Sequence, residues 1–159
     1  MMCEEKLEVF ENGFRDERFH VEIRFYGKDA RKLLLAVIRE LYLPDYGEEY
    51  VYPFECAKEF WGMYVDPSEI VAEEFRPSPI KFLNQSVKNR LTKTLEEIDA
   101  PKDLKEAIDV EGAEIHRTKK GLLAIDKNFI LSESGYLLVF NKPSVRELIL
   151  KYMGMLDGA

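Results

Sequence analysis

The sequence predicts a single α+β domain with a mainly antiparallel sheet, a central block of helices and a C-terminal helix. Three observations favour this class. Apolar residues alternate with polar ones from Phe19 to Tyr26, and they recur at steps of three and four through residues 80–98. Four strand-like segments joined by short turns then fill residues 114–141. Strands and helices in separate runs are typical of α+β proteins, and 159 residues fit one domain.

The N-terminal part is predicted to contribute two strands and a helix. Leu7 to Phe10 reads as a strand that ends in the turn signal Glu11-Asn12-Gly13. The alternation over residues 19–26 predicts a half-buried strand, with His20 on its polar side. From Gly27 to about residue 43, the apolar spacing predicts a helix that packs on the sheet.

Residues 44–112 are predicted to form a helical block. Short helices are expected over 53–64 and 66–75, each opened by a proline or a capping residue. The Ser-Pro pair at 78–79 is interpreted as the start of a long amphipathic helix that ends near residue 98. A last short helix is expected between Pro101 and Gly112, with Leu104, Ala107 and Ile108 directed inward.

The C-terminal part is predicted to be a four-strand meander followed by a helix. The predicted strands are Glu114–Thr118, Leu122–Asp126, Phe129–Glu133 and Tyr136–Asn141. Connections as short as these make neighbouring strands antiparallel. The last strand is apolar on both faces, which predicts an interior position. Lys142-Pro143 then ends the sheet, and a helix follows.

Composition limits the function classes. The net charge of −7 argues against a dedicated nucleic-acid binder, although a local basic face leaves that alternative open. No apolar run approaches the ~20 residues that cross a bilayer, so no membrane partner is expected. Two cysteines, Cys3 and Cys56, are too few for a disulfide framework, and we expect a cytoplasmic location. One glutamine beside 21 glutamates and 14 lysines resembles a thermophilic composition.

Residues 42–75, here named the acidic aromatic segment, hold the net negative charge. They contain nine acidic residues against one basic residue, and nine of the 19 aromatic residues. Tyrosine and tryptophan rimmed by acids suit a surface for a protein partner or a second copy. The candidate binding residues are Tyr46, Tyr50, Tyr52, Trp61 and Tyr64. The alternative is that the helical aromatics of this segment belong to the core.

The predicted helix 79–98 has an unusual charge order. Lys88, Arg90 and Lys93 precede Glu96 and Glu97, which opposes the helix dipole. Two explanations stay open. The cations pair with the acidic residues between 48 and 74, or they bind an external anion such as nucleic acid. The turn Arg117–Lys120, together with Lys127, could extend such a basic surface.

Catalytic chemistry has weak support in the sequence, and we lean against an enzyme. Cys56 is a possible nucleophile, but its acidic neighbours oppose thiolate formation. Asp126 at a strand end could bind a metal with Glu114, Asp109 or Glu133, although the spacing predicts no metal site or cofactor. The leading hypothesis is a binding or scaffolding protein that uses residues 46–64. An enzyme with a site in a cleft between helices and sheet, and a nucleic-acid-associated protein, are the alternatives.

Overall fold

The computed structural model describes residues 7–27, 30, 33–35, 38, 78–80, 85–118 and 121–152, and the structural statements below refer to them. These residues contain one antiparallel sheet of eight strands. In chain order the strands are β1 (Leu7–Phe10), β2 (Gly13–Asp16), β3 (Val21–Gly27), β4 (Ser78–Ile80), β5 (Glu114–Thr118), β6 (Gly121–Ile125), β7 (Phe129–Ser132) and β8 (Tyr136–Phe140).

The sheet joins an N-terminal and a C-terminal set of strands. The spatial order is β1-β2-β3-β8-β7-β6-β5-β4, so the long-range pair β3–β8 connects the two sets. In that pair Ile23 lies opposite Phe140, and Gly27 lies opposite Tyr136. The meander is confirmed, and its strand bounds agree with the prediction to within one residue. The fold class, α+β in a mainly antiparallel arrangement, is also confirmed.

Helices cover both faces of this sheet. They are α1 (Gln85–Glu97), α2 (Lys102–Ala107) and α3 (Pro143–Tyr152); residues 30, 33–35 and 38 are also helical and buried. Alternate residues of one strand point to opposite faces. In β8, Leu138 therefore joins a hydrophobic cluster with residues of α3 and with residues 30, 33–35 and 38, whereas Leu137 joins a second cluster with residues of α1. β8 is the interior strand that its sequence predicted.

The N-terminal region contains one more strand than predicted, and the bounds of another differ. β2 pairs with both β1 and β3. β3 begins at Val21, so His20 lies in the preceding turn and not on the strand as expected. The backbone of His20 has a φ of 54°, a left-handed conformation that histidine adopts more readily than bulky or β-branched residues do.

The predicted start of the long amphipathic helix was wrong. Residues 78–80 form β4, which pairs with β5, and α1 begins at Gln85. Pro79 fits this position because β4 is at the edge of the sheet formed by the described strands, and proline is tolerated in an edge strand. The region 44–112 is therefore not helical throughout. The predicted helices 53–64 and 66–75 lie outside the described residues.

The short helix after Pro101 is also shorter than expected. α2 ends at Ala107, whereas Gly112 was the predicted end. Ala107 is exposed, while Leu104 and Ile108 are half-buried and pack against the second hydrophobic cluster. Only two of the three predicted inward residues therefore face the core.

Candidate functional site

The charge order predicted for the long helix is present in α1, which has no acid in its first turn and no base in its last. The structure places a glutamate beside each of its three cations. The pairs are Lys88–Glu111, Arg90–Glu133 and Lys93–Glu97. Acidic residues 48–74, the partners we expected, lie outside the described residues. Two of the observed partners come from other elements, so tertiary contacts offset the unfavourable order.

Glu133 is held in place by several contacts in the turn between β7 and β8. Its Oε2 accepts a hydrogen bond from the backbone N–H of Leu122 at 3.1 Å. Its backbone carbonyl accepts one from Thr94 Oγ1 at 3.2 Å, and its Oε1 lies 3.6 Å from Arg90 Nη1. The Arg90 guanidinium therefore lies beside a carboxylate whose position is fixed by the sheet and by α1. This pairing reduces the positive charge that the helix presents to an external anion.

The rest of the predicted basic surface is described only in part. Arg117 lies on β5 and is exposed, and Lys127 is exposed in the turn between β6 and β7. Lys119 and Lys120 lie outside the described residues. Arg117 lies opposite Leu122 in the sheet register, and Leu122 shares the second hydrophobic cluster with residues of α1. Arg117 is therefore on the sheet face that α1 covers.

A polar cleft of about 570 Å³ lies at the turn between β2 and β3, and we name it the turn cleft. Its lining residues are Arg15, Asp16, Glu17, Arg18, His20, Val21 and Asn141. Asp16 is fully buried, and its carboxylate accepts hydrogen bonds from Nε and Nη2 of Arg18 at 3.1 and 2.8 Å. The backbone N–H of Arg18 donates to the same carboxylate at 3.0 Å. This buried pair fixes the floor of the cleft.

The far side of the turn cleft is tied to the end of β8. Asn141 donates from Nδ2 to the carbonyl of His20 at 3.1 Å, and its Oδ1 accepts from the N–H of Glu22 at 2.8 Å. Lys142 Nζ donates to the carbonyl of Phe19 at 2.8 Å. These bonds stabilise the left-handed conformation of His20. The lining carries equal numbers of arginines and carboxylates, so it has no strong preference for either sign of charge.

A second cleft, of about 340 Å³, lies between the α2 region and the sheet, and we name it the carboxylate cleft. It is lined by Leu104, Ala107, Ile108, Asp109, Gly112, Asp126, Asn128, Phe129 and Val139. Its floor is apolar and its rim carries two carboxylates. The cleft lies in the place expected for the enzyme alternative, between helices and sheet.

Of the four carboxylates considered as metal ligands, the structure brings two together. Asp109 and Asp126 line the carboxylate cleft. Glu114 instead contacts His116, with 2.9 Å between Oε1 and Nε2, and Glu133 pairs with Arg90. Within the described ranges, no group of three or more histidine, cysteine or acidic residues is arranged to hold a metal ion.

The other predicted site residues lie outside the described residues. They are Tyr46, Tyr50, Tyr52, Trp61 and Tyr64 of the acidic aromatic segment, together with Cys56. The turn cleft was missed by sequence reasoning, because its residues come from a turn and from a position more than 100 residues later in the chain. The only local signal was an aspartate and an arginine two residues apart, Asp16 and Arg18, directly before the alternating segment 19–26.

The fold and clefts define an α+β protein built on one antiparallel sheet. A family model described as "Ph1570 protein" matches residues 1–156, so the chain belongs to the Ph1570 protein family. It is also similar to a solved structure described as "Crystal Structure of ORF 1580 a hypothetical protein from Pyrococcus horikoshii". That match has 54% identity and a TM-score of 0.78, and it covers 94% of this chain and 90% of the other. No curated protein matches the chain.

This relative comes from a thermophilic archaeon, in agreement with the composition. In the described part of the chain, no helix is both long enough and apolar enough to span a membrane.

Proposed function

We propose that this protein is a binding or scaffolding protein whose partner surface lies in residues 46–64. The partner proposed is a protein with a basic patch. The segment 42–75 carries eight more acidic than basic residues, whereas the rest of the chain has nearly equal numbers. Complementary charge steers two proteins together and sets their orientation. The aromatic residues of the segment would supply the contact area.

The observation that carries this proposal is the pairing of the α1 cations. Lys88, Arg90 and Lys93 were the internal candidates for neutralising the acidic segment. Their glutamate partners are Glu111, Glu133 and Glu97, all outside that segment. The negative charge of residues 42–75 is therefore not needed to balance α1, which supports its use in recognition.

The tyrosines give the proposal its specificity. Tyr46, Tyr50 and Tyr52 precede the predicted helix 53–64, in a stretch that we interpret as a loop, so a core role explains them less well than it explains Phe54 or Phe60. Tyrosine combines a large apolar ring with a polar hydroxyl, and it is enriched in protein interfaces. A cytoplasmic location belongs to the same proposal and rests on the low cysteine content.

The test uses the intrinsic fluorescence of Trp61, because this is the only tryptophan and it lies in the segment. The probe is an unstructured peptide rich in lysine and arginine, and a glutamate-rich peptide of equal length is the control. We expect saturable binding of the basic peptide that weakens with salt. Replacing Tyr46, Tyr50 and Tyr52 together with alanine should weaken it at least about tenfold, as loss of interface anchors does.

A matched pair of charge reversals separates site-specific binding from general attraction. Glu48→Lys/Glu49→Lys changes the charge within the segment, and Glu96→Lys/Glu97→Lys makes the same change on α1. The first variant should lose most of the affinity and the second should keep it. Equal effects of the two variants would contradict the proposal.

Two further measurements test the alternatives of self-association and nucleic-acid binding. If sedimentation shows that the protein self-associates and the tyrosine variant does not, the partner is a second copy. Steeply salt-dependent retention on an oligonucleotide column would favour nucleic acid instead.

A further inference from the structure

The carboxylate cleft combines an apolar floor with two carboxylates, Asp109 and Asp126, that have no cationic partner among the described residues. Phe129 of β7 and Val139 of β8 lie opposite each other in the sheet register. Leu104 of α2 and Ile108, just after it, add two half-buried aliphatic side chains. These four residues belong to the second hydrophobic cluster or pack against it. An apolar group that enters the cleft would therefore extend an existing hydrophobic cluster and lose its own contact with water.

The rim of the cleft is acidic and is fixed by backbone hydrogen bonds. Asp109 Oδ1 accepts a hydrogen bond from the N–H of Gly112 at 3.1 Å. The N–H of Asp126 donates to the carbonyl of Phe129 at 2.9 Å, which positions the start of the turn between β6 and β7. A Cβ atom at residue 112 would lie 2.7 Å from Asp109 Oδ2, so glycine lets the backbone approach this carboxylate closely. None of the described residues that line the cleft is basic.

Asp126 differs from the other shielded carboxylates of the described part. The fully buried Asp16 pairs with Arg18, and the half-buried Glu22 and Glu133 each pair with an arginine. Asp126 is also half-buried, but within the described residues it has no cationic partner. Desolvation of a carboxylate carries a cost that a nearby cation offsets. Because the described residues supply no such cation, a cationic ligand would fill this role.

The geometry points to a binding site for a small organic cation in the carboxylate cleft. The ligand class is an alkylammonium or arylalkylammonium compound. Its ammonium group would pair with Asp126 and Asp109, and its apolar part would lie on Phe129, Ile108 and Val139. The volume of about 340 Å³ falls within the size range of ligand pockets. This inference is independent of the partner surface proposed for residues 46–64.

The experiment is a titration of the ¹⁵N-labelled protein with hexylammonium, followed by two-dimensional amide NMR. Hexanol and hexanoate are the neutral and anionic controls of the same chain length. We expect saturable shifts at residues 108–112 and 126–129, strongest for hexylammonium and weakest for hexanoate. Equal affinity for hexanol would overturn the role of the carboxylates, and shifts spread over all acidic surfaces would overturn the site.

Two substitutions of nearly identical shape test the carboxylates directly. Asp126→Asn should weaken hexylammonium binding about fivefold, which corresponds to loss of one partly exposed ion pair. Asp103→Asn is the control, because Asp103 is exposed on α2 and does not line the cleft; it should leave the affinity unchanged. Asp109→Asn provides a second variant if Asp126→Asn disturbs the amide spectrum. Undiminished binding by a folded variant at either cleft position would refute the assignment, as would tighter binding of Mg²⁺ than of hexylammonium.

Discussion

Replacement of Asp16 by alanine tests how the turn cleft is held together. The Asp16 carboxylate is fully buried and accepts hydrogen bonds from the Arg18 backbone N–H, Nε and Nη2. Alanine would remove the acceptor of all three hydrogen bonds. Because these donors sit at the base of a turn between two strands, we expect the loss to destabilise the β2–β3 hairpin.

The magnitude follows from burial. Removing one partner of a buried ion pair typically costs about 3–5 kcal/mol, since the other charge stays uncompensated. The Arg18 side chain is 28% exposed, so water can solvate part of the guanidinium when the Asp16 carboxylate is removed. We therefore expect Asp16→Ala to lower the free energy of unfolding by about 2–4 kcal/mol. For a chain of this size, that corresponds to a fall in Tm on the order of 5–15 °C.

The control is an ion pair of equal length in a different environment. Arg15 and Glu8 are also 2.8 Å apart, but their side chains are 44% and 55% exposed. Glu8→Ala should cost less than about 1 kcal/mol, because exposed pairs are screened by water.

Both variants are measured by guanidinium unfolding monitored by circular dichroism, together with Arg18→Ala and the Asp16→Ala/Arg18→Ala double variant. The double variant should be less destabilised than the sum of the single variants, because the two side chains interact directly and their contact is lost only once. Similar costs for Asp16→Ala and Glu8→Ala would refute the reasoning from burial.

Two further predictions concern backbone geometry and the attachment of α1. Gly27→Ala should destabilise the protein by about 2 kcal/mol more than Gly135→Ala, measured by chemical unfolding. Both glycines have positive φ, but a Cβ at residue 27 would lie 2.1 Å from the carbonyl oxygen of Gly135, whereas a Cβ at residue 135 meets nothing within 4 Å. Thr94→Val should cost about 1 kcal/mol, because it removes a buried hydroxyl that lies 3.1 Å from the Arg90 carbonyl oxygen and 3.2 Å from the Glu133 carbonyl oxygen. Thr92→Val, at an exposed position of α1, should have little effect, and an equal cost would contradict a specific tether.

Strands were predicted where apolar and polar residues alternate regularly or where short turns separate apolar segments, and they were missed elsewhere. Residues 21–25 alternate cleanly, and the short turns of the meander left one possible strand order. β2 was missed because Asp16 occupies an inward position, where the pattern calls for an apolar residue. Its burial depends on Arg18, and such a partner cannot be read from periodicity. β4 was missed for a similar reason, since Pro79 resembles a helix start when its strand partner is not known.

The site was predictable only to the level of single residues. The charge order of α1 was visible in the sequence, but the partners Glu111 and Glu133 lie on other elements. Asp126 and Asp109 were considered together as possible metal ligands. The apolar floor of the cleft comes from α2, β7 and β8, and α2 is distant from the two strands in the sequence. Because this floor favours an organic cation over a metal ion, the ligand class could be inferred only from the folded chain.

Three charged positions in the described structure are buried, half-buried or placed against the helix dipole. Buried Asp16 is matched by Arg18, and the reversed charges of α1 are matched by glutamates, including Glu133. In each of these cases the folded chain supplies the opposite charge. Asp126 is the third, a half-buried carboxylate above an apolar floor, and the described chain supplies no cation for it. Since the fold satisfies the other two internally, the unmatched Asp126 is the best argument that the carboxylate cleft receives a cation from outside the chain.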